Sequence, residues 1–153
     1  MKRSVILNSE LSHAIASMGH GDIMIVCDAG FPIPNSSWRV DLAVIQDIPD
    51  LETVLTAISQ ELVVEKVAYA AEMGDNNPLL KETVDRIFAD SDFTTFPHSV
   101  VLTEMAAKAK VIVRTGAFDP WGNILLYSGV NIPKWFSKPG TIAPENYARK
   151  LNK

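Results

Sequence analysis

The sequence predicts an α/β domain built in three layers, on three observations. Short apolar runs of strand length alternate along the chain with segments whose apolar residues recur at helical spacing. Turn-forming clusters rich in proline, glycine, asparagine and serine, as at 31–37 and 115–123, separate them. A chain of 153 residues that is 47% hydrophobic is long and apolar enough for one compact domain with a real core.

Asn8 or Ser9 can cap a first helix carrying Leu11, Ile15 and Met18 on one face, and Gly19 is its stop. The apolar run 23–27 is too short for an independent helix and reads as a buried strand. Pro32 and Pro34 prevent 31–37 from continuing either element, because they fix the backbone and remove donors. Val40, Leu42 and Val44 alternate with Arg39, Asp41 and Ala43, the period of a strand. Asp50 caps a helix with Leu51, Val54, Leu55, Ile58 and Leu62 in one stripe. The β-branched stretch 63–71 reads as a strand. Asn77 as cap and Pro78 at the first helical position begin a helix that buries Leu80, Val84, Ile87 and Phe88. An extended piece at 93–96 leads to a helix from about 99 to 109. Two buried strands follow at 111–113 and 124–126. Near Asn131 the composition changes, with Pro133, Pro139, Gly140 and Pro144 marking a tail. The division expected is a domain at 1–130 and a C-terminal extension at 131–153.

Charge and cysteine usage exclude several functions. The net charge of −4, with lysine and arginine scattered, gives no footprint for nucleic acid or acidic lipid. The single cysteine, Cys27, allows no intrachain disulfide and argues against a cysteine metal site, which fits a reducing, cytoplasmic setting. Asn8-Ser9-Glu10 interrupts the apolar start too early for a signal peptide, and no run has the length of a membrane span. Gly19-His20-Gly21 lacks the spacing of a dinucleotide or phosphate loop, HExxH is absent, and no nucleophile elbow occurs. Acid–base chemistry without a cofactor or metal remains.

The candidate site is the stretch from His20 to Asp28, where an imidazole precedes a buried strand and a carboxylate follows it. Loops held by a rigid element are where chemistry is usually placed. Glycine on both sides of His20 frees the backbone and leaves the ring accessible. A histidine in such a turn can equally close it by hydrogen bonding, and spacing leaves the two readings even. Asp28 and Asp22 can likewise cap turns. His13 reads as a helix-surface or core-edge residue. His98, after Pro97, is a capping residue or a ligand contact. Trp121-Gly122-Asn123 offers a flat apolar face beside an amide, a pairing that suits a sugar ring; the alternative is that Trp121 plugs the core.

Several blocks resemble the D-ribose pyranase / L-fucose mutarotase (RbsD/FucU) family. They are Asn8-Ser9-Glu10-Leu11, Gly19-His20-Gly21-Asp22, Cys27-Asp28-Ala29-Gly30-Phe31-Pro32-Ile33-Pro34, Arg39-Val40-Asp41-Leu42-Ala43, Asn77-Pro78-Leu79-Leu80 and Gly122-Asn123-Ile124-Leu125-Leu126. The resemblance runs in order from residue 1 to about 130 and is closer to the ribose branch. It implies the RbsD-like αβα fold and interconversion of cyclic sugar forms, pyranose and furanose for ribose or anomers for fucose. His20 falls on the family's proton donor, and Asp28 and His98 on substrate-binding positions. Trp121, Gly122 and Asn123 fall on its Tyr-x-Asn binding segment, with Trp where Tyr is usual. A homo-oligomer, a ring-shaped decamer with sites near subunit contacts, is also implied, and so is a shorter C-terminus than the one here.

The chemistry suits these residue types. Opening a cyclic hemiacetal delivers a proton to the ring oxygen and removes one from the anomeric hydroxyl. Neither step breaks a C–H bond, so none demands a metal or redox cofactor. Histidine can donate in one direction and accept in the other. The competing expectations are a fucose mutarotase and, of a different class, a non-catalytic sugar-binding module associated with transport.

Overall fold

The computed structural model describes residues 1–145 and 147; the end of the extension expected at 131–153 therefore lies outside the described residues. Six strands form one sheet: β1 (Ile23–Cys27), β2 (Trp38–Asp41), β3 (Val64–Ala70), β4 (Asp92–Phe96), β5 (Val111–Arg114) and β6 (Asn123–Ser128). Their spatial order is β2-β5-β1-β6-β3-β4. β1, β2 and β5 run parallel, as do β3 and β4, while β6 runs antiparallel to both β1 and β3. Five strands thus point the same way, and their carboxyl ends line one edge of the sheet together with the start of β6.

Strand residues alternate between two apolar layers, as the period of two requires. Met24, Val26, Val40, Val67, Val113, Ile124 and Leu126 face helices α1 (Ser9–Ala16), α2 (Leu51–Ser59) and α4 (Pro78–Ile87), which bury Leu11, Leu55, Ile58 and Val84. Ile25, Cys27, Ala68, Ala70, Ile112 and Leu125 face the other way, against Phe31 and the helical segment 98–108. Side chains on both faces make three layers, as the sequence predicted. Complete burial of a residue such as Ile25 or Leu125 contributes about 1.5–3 kcal/mol.

The helix N-caps fall where the sequence placed them: Asn8, Asp50 and Asn77 accept backbone N–H bonds from Leu11, Thr53 and Leu80. The first helix stops earlier than expected, at Ala16 with Ser17 as its C-cap, so Met18 and Gly19 lie beyond it. Four further features differ from expectation. β2 spans Trp38–Asp41 instead of reaching Val44, because the Asp41 carboxylate takes the Ala43 N–H and turns the backbone out of the ladder. Val44 is consequently 75% exposed. A short helix α3 (Met73–Asn76) stands between β3 and α4, with no side-chain cap to announce it. The helix expected at 99–109 is α at α5 (His98–Val100), π at Val101–Met105 and α again at α6 (Ala106–Lys108). The extension forms α7 (Ile132–Phe136), capped by Asn131, with Ile132 buried and Trp135 exposed.

Candidate sugar site at the carboxyl edge

In sheets of mainly parallel strands, ligands bind outside the carboxyl ends of the strands. Asp28 follows β1 at that edge. Its N–H donates to the Gly122 carbonyl (2.8 Å), and its carboxylate accepts the Gly30 N–H (2.7 Å), so backbone and side chain are both fixed. Burial pushes the Asp28 carboxyl above the ordinary range, partly offset by the Gly30 N–H, the Asn123 amide and the nearby His98.

His98 opens α5, and its N–H donates to both oxygens of the Glu72 carboxylate (3.1 and 3.0 Å). Its ring lies edge-on to Trp121, with centroids 6.4 Å apart. Trp121 has φ +59°, an unusual conformation for a bulky residue, held by a tight turn in which the Gly122 N–H donates to the Asp119 carbonyl. A Cβ on Gly122 would sit 2.6 Å from Leu51 Cδ1 and 2.8 Å from that carbonyl, so only glycine fits there. Asn123, 2% exposed, starts β6 opposite Cys27. Asn123 Oδ1 and His98 Nδ1 are both buried without a hydrogen-bonding partner in the protein. An orphaned buried polar atom costs about 1–3 kcal/mol, and two of them beside one half-buried carboxylate make a place for hydroxyl groups.

An open depression of about 420 Å³ adjoins Asp28, lined also by Gly30, Arg114, Phe118, Asp119 and Pro120. Arg114 and Asp119 were not singled out in the sequence; their positions just after a buried strand and just before Trp121 were the available signal. Arg114 ends β5, donates to the Ala29 carbonyl (3.0 Å) and pairs with Asp41, itself paired with Arg39 (2.7 Å). Burial alone would raise the Asp41 carboxyl, but the Ala43 N–H and the two guanidinium groups hold it below the ordinary value. Burial raises Asp119, and Asp47, Asp50 and Asp28 raise it further. The Cys27 thiol, also raised by burial, is inert core.

The structure thus gathers Asp28, His98, Trp121, Gly122 and Asn123 at one edge. It places His20 at the other. His20 precedes β1, and its turn is tied to the end of β6, Gly21 N–H donating to the Ser128 carbonyl (2.8 Å). Five strand residues separate the two loops, roughly 17 Å at 3.3–3.4 Å per residue. A single chain cannot bring His20 onto a sugar held at Asp28. The His20 Nε2 instead lies 3.2 Å from Glu65 Oε2, with the ring side chain 46% exposed. Asp22 closes the same turn, accepting the Gly19 N–H (2.7 Å) and pairing with Lys110. His13 is an exposed helix residue stacked obliquely on Trp38, 5.1 Å between centroids.

Among the described residues, no helix is long and apolar enough to cross a membrane, and no group of three or more acidic, histidine or cysteine side chains is placed to hold a metal ion.

Comparison with known proteins supplies an independent line. Residues 1–131 match the model of the RbsD / FucU transport protein family. D-ribose pyranase 1 of Streptomyces griseus is 52% identical over 151 residues, covering 99% of this chain and 100% of its own length. D-ribose pyranase 2 of Rubrobacter xylanophilus is 53% identical over 147 residues, 96% of each chain. The solved structure of Bacillus subtilis RbsD complexed with D-ribose superposes with a TM-score of 0.81 at 32% identity, covering 85% of this chain and 98% of that one. The extension is therefore shared with the first two relatives and lies beyond the third. By family match, sequence and fold alike, the chain belongs to the RbsD/FucU family.

Proposed function

We propose that this protein is an isomerase that interconverts the pyranose and furanose forms of D-ribose through the ring-opened sugar, by acid–base chemistry that calls for no cofactor. The observation that carries the reading is the cluster of Asp28, His98 Nδ1 and Asn123 Oδ1 against the Trp121 ring, in a chain so similar to proteins named D-ribose pyranase. Asp28 and Asn123 hold sugar hydroxyls, His98 another, and Trp121 with Gly122 forms the wall on which the ring packs. His20 delivers a proton to the ring oxygen and takes one from the anomeric hydroxyl in the reverse direction.

Because His20 and Asp28 stand at opposite edges, this assignment requires two copies of the chain, one contributing His20 and the other the binding cluster. Exposed apolar residues beside the depression support such a contact: Ile45 is 63% and Phe118 63% exposed, next to Val44 and Ile48. A homo-oligomer, of which a decamer is the form the family resemblance implies, follows from the same argument. Residues 1–130 make the sugar-handling domain in this reading, and the extension that begins at Asn131 serves as a contact with a neighbouring subunit. A reducing, cytoplasmic location is consistent with the buried lone cysteine.

The test is NMR exchange spectroscopy on ribose with His20→Ala, Asp28→Ala and an equimolar reassembled mixture of the two. Each variant alone should be nearly inactive. The mixture should regain roughly a quarter of wild-type activity, since random assembly puts intact His20 and intact Asp28 together at that share of interfaces. No recovery would rule out a site shared between chains. Ribose binding without accelerated exchange in the wild type would favour a non-catalytic binding module, and a sugar panel including fucose fixes the substrate.

A further inference from the structure

We propose that Glu65 is a positioning residue for His20: its carboxylate accepts the Nε2–H, fixing the imidazole's direction and tautomer, so that Nδ1 is the atom that exchanges a proton with the sugar. The inference rests on the acid–base reading of His20 and adds to it a second residue and a named ring nitrogen.

Three features of the fold converge on this contact. The first is a β-bulge. Val64 pairs with Ser128 and Lys66 with Tyr127, so Glu65 is the extra residue inserted into β3 opposite β6. Bulges re-aim single side chains, and they are common beside active sites. The side chain re-aimed here is the one that meets His20, at 3.2 Å. The second feature is Gly129. A Cβ there would lie 3.0 Å from Glu65 Cβ and 3.4 Å from its backbone nitrogen, so the absence of a side chain leaves the bulge room. Its N–H donates to the Val63 carbonyl (2.8 Å) and holds the strand start in place.

The third feature is how the His20 turn is held. Gly21 N–H donates to the Ser128 carbonyl and Ser128 N–H to the Asp22 carbonyl (2.9 Å), which fastens the turn to the same strand, β6, that faces the bulge. The other charged groups around the turn have partners of their own. Asp22 is taken by Lys110 and the Gly19 N–H, and Lys66 Nζ lies 3.9 Å from the Tyr127 ring centroid. Glu65 is thus the carboxylate presented to the imidazole. An exposed ion pair contributes little to stability, so a bulge and a glycine spent on aiming it point to orientation of the ring. Ordering one ring nitrogen by a carboxylate is how acid–base histidines are commonly set in the correct tautomer.

The test compares His20→Ala, Glu65→Ala and Glu65→Gln by ribose exchange NMR across pH, by thermal melting and by the ¹⁵N–¹H spectrum of the His20 ring. Glu65→Ala should slow exchange roughly 10- to 100-fold, with ribose affinity and melting near wild type. Glu65→Gln keeps an acceptor but loses the anion, so it should retain more activity than Glu65→Ala, with a rate–pH profile that differs from wild type. The ring proton should sit on Nε2 in the wild type and spread over both nitrogens in Glu65→Ala. A wild-type rate, pH profile and tautomer in Glu65→Ala, with His20→Ala slow, would overturn the role of Glu65 and leave that of His20 standing. A folded His20→Ala at wild-type rate would overturn both. If Glu65→Ala does not fold, the pH inflection of Glu65→Gln decides: a shift supports the proposal and an unchanged profile overturns it.

Discussion

The two ends of strand β1 solve different problems with the same kinds of residue. At its carboxyl end, Asp28 is half-buried, hydrogen-bonded on its backbone and side chain, and surrounded by polar atoms that the protein itself leaves unpaired. At its amino end, His20 stands on a glycine turn, nearly half exposed, with one carboxylate for company. In the proposed function the first end recognises the sugar and the second carries the proton to a neighbouring chain. Recognition needs fixed, desolvated partners, and a proton carrier for another chain needs a side chain that projects from its own.

The largest effect expected from breaking this contrast is at the exposed end. Replacing His20 by alanine should reduce ribose exchange by on the order of 10²- to 10⁴-fold, with the melting temperature unchanged, because the ring supports little packing. A folded His20→Ala that keeps the wild-type rate would remove chemistry from that end altogether. At the buried end, Asn123→Ala should weaken ribose binding by about tenfold, the worth of roughly one good hydrogen bond, as read by titration calorimetry. Equal affinity for both proteins would take Asn123 out of the contact set.

The next effect is on stability and concerns Asp28. Its folded-state pKa is raised by burial, so the native state holds the proton more tightly than the unfolded chain does. Stability therefore falls as pH rises from the ordinary value of 3.8 through the raised one, and stays lower above it. Asp28→Asn should abolish that fall and melt at or above the wild-type temperature near neutrality, while losing ribose binding. A melting temperature well below wild type at neutral pH would show that the ionised carboxylate stabilises the fold. The smallest effect belongs to Asp22 and Lys110. Asp22 is lowered chiefly by Lys110, so the pair's contribution is present above 3.8 and lost as pH falls through the lowered value. Lys110→Ala should cost less than about 1 kcal/mol in urea denaturation at neutral pH. A larger loss would mean that this pair anchors the His20 turn.

Most of the secondary structure was legible because it is local. The N-caps Asn8, Asp50 and Asn77 and the apolar stripes that follow them in α1, α2 and α4 are set by nearest neighbours and lie where the spacing put them, although α1 and α2 end at Ala16 and Ser59, short of Met18 and Leu62. The failures were those that depend on side chains competing with the backbone or on distant partners. Asp41 ended β2 early by taking the Ala43 N–H. The extension's helix α7 is a single turn and a half, carried by the burial of Ile132 more than by any periodicity. Candidate site residues were legible as residue types and as matched blocks. Arg114 and Asp119 were marked only by their positions after a buried strand and before Trp121, and Glu65 by nothing local, since a bulge is set by the pairing of distant strands.

By itself, the sequence determined the layers, the helix starts and the family blocks, since period, capping chemistry and residue identity are properties of short stretches of chain. Only the tertiary structure decided that His20 and Asp28, eight positions apart, stand at opposite edges of one sheet while Asp28 and Asn123 meet. An extended strand converts a short separation in sequence into a long one in space, and an antiparallel partner does the reverse.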